Sequence, residues 1–306
     1  MSQRKDTIVV VGSINLDLVS KVPRFPKPGE TIRGLAFDSI SGGKGANQAV
    51  AVARLRHPVE MIGMVGDDRI GEGLLANLKR EGVGISNVGI VPGSSGTATV
   101  LVDEAGENSI VIVPGANASL TPEVIRQKAS VIASAGIVLT QLETPIETIQ
   151  ILAEICSAAG VPLMLDPAPA QVLPSDLLRK IAWFTPNETE AAYYVPDADE
   201  ADMLVVRLAG LGPQNVILKR GSSGSAIRMS EQYTIFTGAP KVTAVDTTAA
   251  GDSFNAAFAV GLMTFGSPTE SARFATCAAA ICVTRAGAQP SLATRDEVEQ
   301  AMSEAH

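Results

Sequence analysis

IVLTQLETPIETIQILAEICSAAGVPLML, residues 137–165, reads as strand, helix, strand. Its first apolar run covers 137–142, a helical pattern follows over 146–159, and a second apolar run covers 161–165. The same rhythm extends outward in both directions. Further apolar runs lie at 7–11, 60–65 and 216–218, and helical patterns at 46–55, 73–80 and 200–211. Strands alternating with helices of this length build βαβ units. Right-handed crossovers then place helices on both faces of a mostly parallel sheet. The expected class is α/β.

Two regions break the rhythm. Residues 16–40 carry Pro23, Pro26, Pro28 and Gly29 and have extended character. Residues 97–102 and 109–113 are β-rich and joined by the turn Glu104-Ala105-Gly106-Glu107. Both segments are expected to form a small β-sheet lid, 15–40 with 96–113, beside a core of 1–14, 41–95 and 114–306. Residues 251–265 and 269–284 read as Ala-rich, buried helices.

The chain has 306 residues, 46% hydrophobic and 18% charged, enough for a large core. Its 24 Lys and Arg against 32 Asp and Glu give a net charge of -8, and it has one Trp and three Tyr. That lacks the basic, aromatic footprint of a nucleic-acid binder. Cys156, Cys277 and Cys282 form no Cys-x-x-Cys pair, which argues against a disulfide framework and a Cys-rich zinc site. Of only two His, His57 precedes Pro58 and His306 is the last residue, which argues strongly against a Ser-His-Asp triad or multi-His metal centre. Residues 1–6 are polar, the next apolar run is too short for a secretory signal, and no stretch reads as a membrane span. The expected location is the cytoplasm.

Four groups of residues carry chemistry. Ser41-Gly42-Gly43-Lys44-Gly45-Ala46-Asn47-Gln48 opens a helix over 49–55. Its glycines let backbone approach a ligand, and the bare N–H groups favour oxygen-rich or anionic groups. It is not a Walker A loop. Alone it would be a structural turn, but Lys44 and Asn47 point into it. In the stretch 245–255, Phe254, Phe258 and Leu262 mark the apolar face of a helix starting near Gly251. Ala249, Ala250 and Gly251 offer successive N–H donors at the positive end of its dipole, a nest suited to a phosphoryl group in flight. Asp252 beside them can accept a proton from an attacking hydroxyl; in isolation it would be an ordinary first-turn acid. Asn187 and Glu190 share one face of a helical turn and suit Mg²⁺ held through water, or else simply start a helix. Asn15, Asp17 and Glu143 follow strands, where open α/β sheets bind ligands, and could grip neighbouring sugar hydroxyls. Gly71-Glu72-Gly73-Leu74-Leu75-Ala76 imitates a dinucleotide fingerprint. It starts too far after its strand and lacks the later acid, so a dehydrogenase is disfavoured.

In order and spacing these fragments resemble the ribokinase (PfkB) family of sugar kinases from Ile8 to Glu297. The resemblance rests on Gly-Ser-Ile-Asn-Leu-Asp at 12–17, Gly-Gly-Lys-Gly-Ala-Asn-Gln-Ala at 42–49 and Gly-Asp-Asp at 66–68. It continues with Pro-Gly-Ala-Asn at 114–117, Gln-Leu-Glu at 141–143, Asp-Pro-Ala-Pro-Ala at 166–170, Thr-Pro-Asn-Glu-Thr-Glu at 185–190 and Asp-Thr-Thr-Ala-Ala-Gly-Asp at 246–252.

The resemblance implies a three-layer α/β core with a β-sheet lid that also makes a homodimer. It implies transfer of the ATP γ-phosphoryl to the 5-hydroxyl of ribose. Asn15, Asp17, Gly43, Lys44, Gly45, Ala46, Asn47 and Glu143 would face the sugar, with Asp252 as base and the amides of Ala250, Gly251 and Asp252 as anion hole. Asn187 and Glu190 match the phosphate and Mg²⁺ motif. Lys219, Arg220, Gly221, Ser222, Ser223 and Gly224 match the nucleotide loop, and Thr276 stands near the adenine. Asp246, Thr248, Cys282, Arg285, Gly287 and Ser291 match the ligands of an activating K⁺. The competing readings are a sister kinase for deoxyribose or another sugar, and a catalytically silent sugar-binding regulator. The intact nest beside Asp252 argues against the second, since a binder needs neither.

Overall fold

The computed structural model describes residues 6–198, 200–229 and 233–304; Met1 to Lys5 and His306 lie outside the described residues. Its larger sheet has nine strands. Across it run Thr234–Thr237, Ser225–Arg228, Asn215–Lys219, Trp183–Phe184, Leu163–Leu165, Ile137–Thr140, Ile8–Val11, Val59–Gly66 and Gly84–Val91. Pairing is parallel from Asn215–Lys219 to Gly84–Val91, and the other two strands are antiparallel.

The two faces are buried separately, as the period of two in a strand requires. Ile8 and Val10 pack with the helices Lys44–Arg54, Ala250–Phe265 and Pro268–Cys282. Val9 and Val11 pack with Ile146–Ala159 and Ala201–Gly210 on the opposite side. The result is three layers. The Ala-rich helices pair closely with each other: an added Cβ on Gly261 would lie 2.7 Å from the backbone of Ser271.

A second sheet has four strands in the order Ala36–Gly42, Asn15–Lys21, Gly96–Val102, Asn108–Val113. Its outer strand is exposed on both faces, with Ile110, Val111, Ile112 and Val113 all open to solvent.

Some boundaries differ from the sequence expectation, each for a local reason. The helix expected from 46 begins at Lys44, because Gly43 turns the chain at a φ of 86°. The helix expected from 73 begins at Arg69, capped by Asp68, whose carboxylate accepts from the Gly71 amide at 2.7 Å. The glycines of the dinucleotide look-alike therefore lie inside a helix. The strand expected over 137–142 stops at Thr140, which frees Gln141 and Glu143 from the sheet. The antiparallel pair Ser225–Arg228 and Thr234–Thr237 has no counterpart in the sequence reading. Among the described residues no helix is long and apolar enough to cross a membrane.

Candidate active site

Five neighbouring parallel strands end on one edge of the large sheet, and each delivers polar residues there. In spatial order they present Lys219, then Asn187, Asp166, Gln141 with Glu143, and finally Ser13 with Asn15 and Asp17. At about 4.8 Å between strands this row spans roughly 19 Å. Sequence-distant residues thus share one cleft edge, where open α/β sheets take ligands.

At one end, the glycine turn packs flush against the loop after the first strand. A Cβ on Gly45 would lie 2.7 Å from the backbone of Gly12 and Ser13, and one on Gly43 would lie 2.7 Å from the Asn15 amide. This close approach lets the Lys44 amide reach Glu143 Oε2 at 3.2 Å, and Ser13 donates to the same oxygen at 2.5 Å. Asn117 clamps the neighbouring chain, donating to Asn15 Oδ1 at 2.7 Å and accepting from the Ile14 amide at 2.9 Å. Asn15 and Asp17 stand two apart on one strand and so share a face. Asp17 lies over Gly42, where a Cβ would come within 2.1 Å of its Oδ2. Burial first, then Glu143 and Asp252, push the Asp17 carboxyl up to about 7, with Lys44 opposing them.

Asp252 occupies the middle of the row from above, in the first turn of Ala250–Phe265, and is only 4% exposed. Asn47 Nδ2 donates to its Oδ2 at 2.9 Å, and Gln48 Nε2 to its Oδ1 at 3.1 Å. Burial pushes its pKa up to about 6, against the pull of Lys44 and both hydrogen bonds, while Asp166 adds to the rise. Burial draws the Lys44 ammonium down, but Asp252, Glu143, Asp166 and Glu190 outweigh it and hold it above the usual lysine range. Ala249 precedes the helix in the left-handed conformation with no side-chain cap. The Ala250 amide donates to Thr247 O at 3.2 Å, so the bare donors are the amides of Gly251 and Asp252.

At the other end, Lys219 Nζ pairs with Asp166 Oδ1 at 2.8 Å. It also approaches the nest, since a Cβ on Gly251 would lie 3.3 Å from it. Asn187 and Glu190 form a full capping box, Glu190 accepting from the Asn187 amide at 2.8 Å and Asn187 accepting from the Glu190 amide at 2.8 Å. The helix-start reading of that pair is therefore realised, and its position beside Lys219 adds to it. Burial raises the Glu190 carboxyl, and Lys219 opposes the rise. Gly221–Ser223 make one tight exposed turn that ends at Gly224 with a φ of 82°. Arg220 stacks 5.6 Å from the Phe236 ring centre. Beside this loop is a hollow of about 410 Å³ lined by Phe236, Thr237, Pro240, Arg273 and Cys277 among others. Thr276 does not line this hollow; it is buried, and its hydroxyl proton goes to Ala272 O at 2.7 Å.

The residues matched to the ligands of K⁺ also lie near one another. Asp246 accepts from Thr248 N at 2.9 Å and from the Gly287 amide at 2.8 Å, joining segments 41 positions apart. Cys282 Sγ lies 3.0 Å from Ser291 Oγ and 3.6 Å from Thr248 O. The Arg285 side chain turns away to pair with Glu297.

A family model described as pfkB family carbohydrate kinase matches residues 5–295. The chain is a pfkB family carbohydrate kinase. It is 42% identical over 300 residues to the ribokinase of Haemophilus influenzae, covering 96% of this chain and 97% of that one. To the deoxyribokinase of Salmonella typhi it is 35% identical over 302 residues, covering 97% and 98%. The solved structure of Arabidopsis thaliana ribokinase complexed with ribose and ATP is similar at a TM-score of 0.90 and 37% identity, across 97% of this chain and 98% of that one.

Several residues that line this edge were not expected from the sequence. Ser13, Gln48, Asn117, Gln141 and Asp166 all lay inside quoted motifs yet drew no role. Gln48 alone carried a signal, a polar side chain within the apolar run of a helix, which is costly unless it is paired; the other four follow strand ends or sit in turns, where polar residues are ordinary.

Proposed function

We propose that this kinase transfers the γ-phosphoryl of ATP to the 5-hydroxyl of D-ribose, giving D-ribose 5-phosphate. The observation that carries this reading is the position of Asp252. It lies within electrostatic reach of Asp17 on the sugar side and of Asp166 on the nucleotide side, beside the bare amides of Gly251 and Asp252. Asn15, Asp17, Asn47 and Glu143 grip the sugar hydroxyls, and Lys44 bridges toward the phosphates. The adenine lodges in the hollow beside Arg220 and Phe236.

The reaction is a displacement at phosphorus. The 5-oxygen of ribose forms a bond to the γ-phosphorus, and its proton passes to an Asp252 oxygen. The bond from that phosphorus to the β–γ bridging oxygen breaks, and ADP leaves with the electron pair. The amides of Gly251 and Asp252 stabilise the charge on the phosphoryl oxygens in transit. A pKa near 6 suits a base that must be ionised near neutrality yet still take a proton. The second sheet covers the cleft and excludes water that would compete with the sugar.

The residues suit both expected metal ions. Five carboxylates (Asp17, Glu143, Asp166, Glu190 and Asp252) surround two ammonium groups, Lys44 and Lys219, a balance that favours a divalent cation arriving with the nucleotide. Asn187 and Glu190, beside Lys219 on the nucleotide side, would hold Mg²⁺ through water. Mg²⁺, when bound, supplies neutralising charge to the phosphates. Around Asp246, the carbonyl, hydroxyl and carboxylate oxygens form a hard donor set suited to K⁺, and burial keeps the Cys282 thiol protonated. A second copy of the chain covers Ile110 to Val113 and Phe37, making a homodimer through the second sheet.

The test is ADP release over a panel of ribose, deoxyribose, fructose and nucleosides, with K⁺ or a bulky organic cation. Ribose is expected to lead in kcat/KM with activity dependent on K⁺. Preference for another sugar overturns the assignment.

A further inference from the structure

Gln48 is 1% exposed and sits in the middle of the helix Lys44–Arg54, where an apolar residue would ordinarily pack. A buried carboxamide is costly unless each of its groups is paired. Gln48 is paired on both sides. Its Oε1 accepts from Gln141 Nε2 at 2.7 Å, while its own Nε2 donates to Asp252 Oδ1 at 3.1 Å and to Asp166 Oδ2 at 3.3 Å. The orientation is fixed by chemistry, because ionised carboxylates only accept hydrogen bonds. A flipped amide would press its carbonyl oxygen against two anions.

We propose that Gln48, pinned by Gln141, is a positioning residue for phosphoryl transfer: it holds the Asp252 carboxylate toward the sugar hydroxyl and ties it to the Asp166–Lys219 pair on the nucleotide side. The inference rests on the reading of Asp252 as the base. A neutral amide is the group this place requires. It supplies hydrogen bonds to both acids without charge, so Asp252 stays ionised near neutrality but keeps its basicity. A lysine here would make Asp252 too weak a base, and a glutamate would force one of three acids to hold a proton.

The other charged or titratable groups that face Asp252 are Lys44 on the helix of Gln48, Asp17 on the second sheet, Asp166 backed by Lys219, and the neutral Cys282 thiol on the helix Pro268–Cys282. None of them donates a hydrogen bond to the Asp252 side chain; Asn47 and Gln48 do. Losing the Gln48 donor therefore weakens the ionised form directly, while the other groups stay in place.

The experiment is the pH profile of kcat for Gln48→Met, a near-isosteric change without a donor, beside the parent and Asp252→Asn. The acid limb of the profile is expected to move up by about one pH unit, with KM for ribose changed less than about threefold. Gln141→Met touches neither acid and is expected to move the limb the same way by less, which keeps the test open if Gln48→Met fails to fold. A limb that stays in place in the folded variants overturns the inference, even if kcat falls. Normal turnover by Asp252→Asn instead overturns the reading of the base, so the two failures are distinguishable.

Discussion

Lys219 Nζ lies 2.8 Å from Asp166 Oδ1, with the two side chains only 10% and 3% exposed. Breaking such a pair from one side leaves an uncompensated buried charge. Lys219→Met is expected to lower stability by about 3–5 kcal/mol and to weaken ATP binding about tenfold. The double variant Asp166→Asn with Lys219→Met should regain much of the stability but not the nucleotide affinity. Urea unfolding and calorimetric titration with ADP separate the two effects.

Gly43 combines a φ of 86° with a Cβ position 2.7 Å from the Asn15 amide. Gly43→Ala must strain the turn or push Asn15 out of the place proposed for it beside the sugar. A cost of about 1–3 kcal/mol is expected, together with a rise in ribose KM that exceeds any change in ATP KM. Steady-state kinetics with each substrate varied in turn checks this.

Asp17 predicts a pH-dependent trade between stability and function. Its carboxyl titrates near 7 in the fold, above the ordinary carboxylate range of an unfolded chain. Between those values the native state binds the extra proton, so stability falls as the pH rises through that window. Asp17→Asn removes the cost. The ligand-free variant is expected to melt about 2–4 °C higher than the parent at pH 8, with the gain fading toward pH 4, and to lose ribose binding. Thermal melts across pH, with and without ribose, test both halves.

The exposed edge strand makes a separate prediction. Ile110→Asp with Ile112→Asp is expected to turn a dimer into a monomer in sedimentation experiments, while the catalytic core keeps its fold. A chain that is monomeric before substitution would remove the proposed interface.

Much of the fold was legible because the parallel sheet leaves a strong record. Ile8–Val11 is apolar at every position since both faces are covered, and the helix Ile146–Ala159 carries its period without interruption. The antiparallel pair Ser225–Arg228 and Thr234–Thr237 was not legible, because short mixed strands carry no long apolar run. Within the site, the glycine turns and Asp252 stood out through their neighbours in sequence. Gln48, Gln141 and Asp166 did not, because their meaning lies in contacts 93 and 118 positions apart. Local pattern also could not tell that the Ala250 amide is occupied by Thr247.

The most direct test of the whole account is turnover of ribose by Asp252→Asn, with ribose affinity measured in parallel by calorimetry. With Asp252 as the base, kcat is expected to fall by at least about 10²–10⁴-fold while ribose affinity stays within a few-fold of the parent. Turnover close to that of the parent would contradict it.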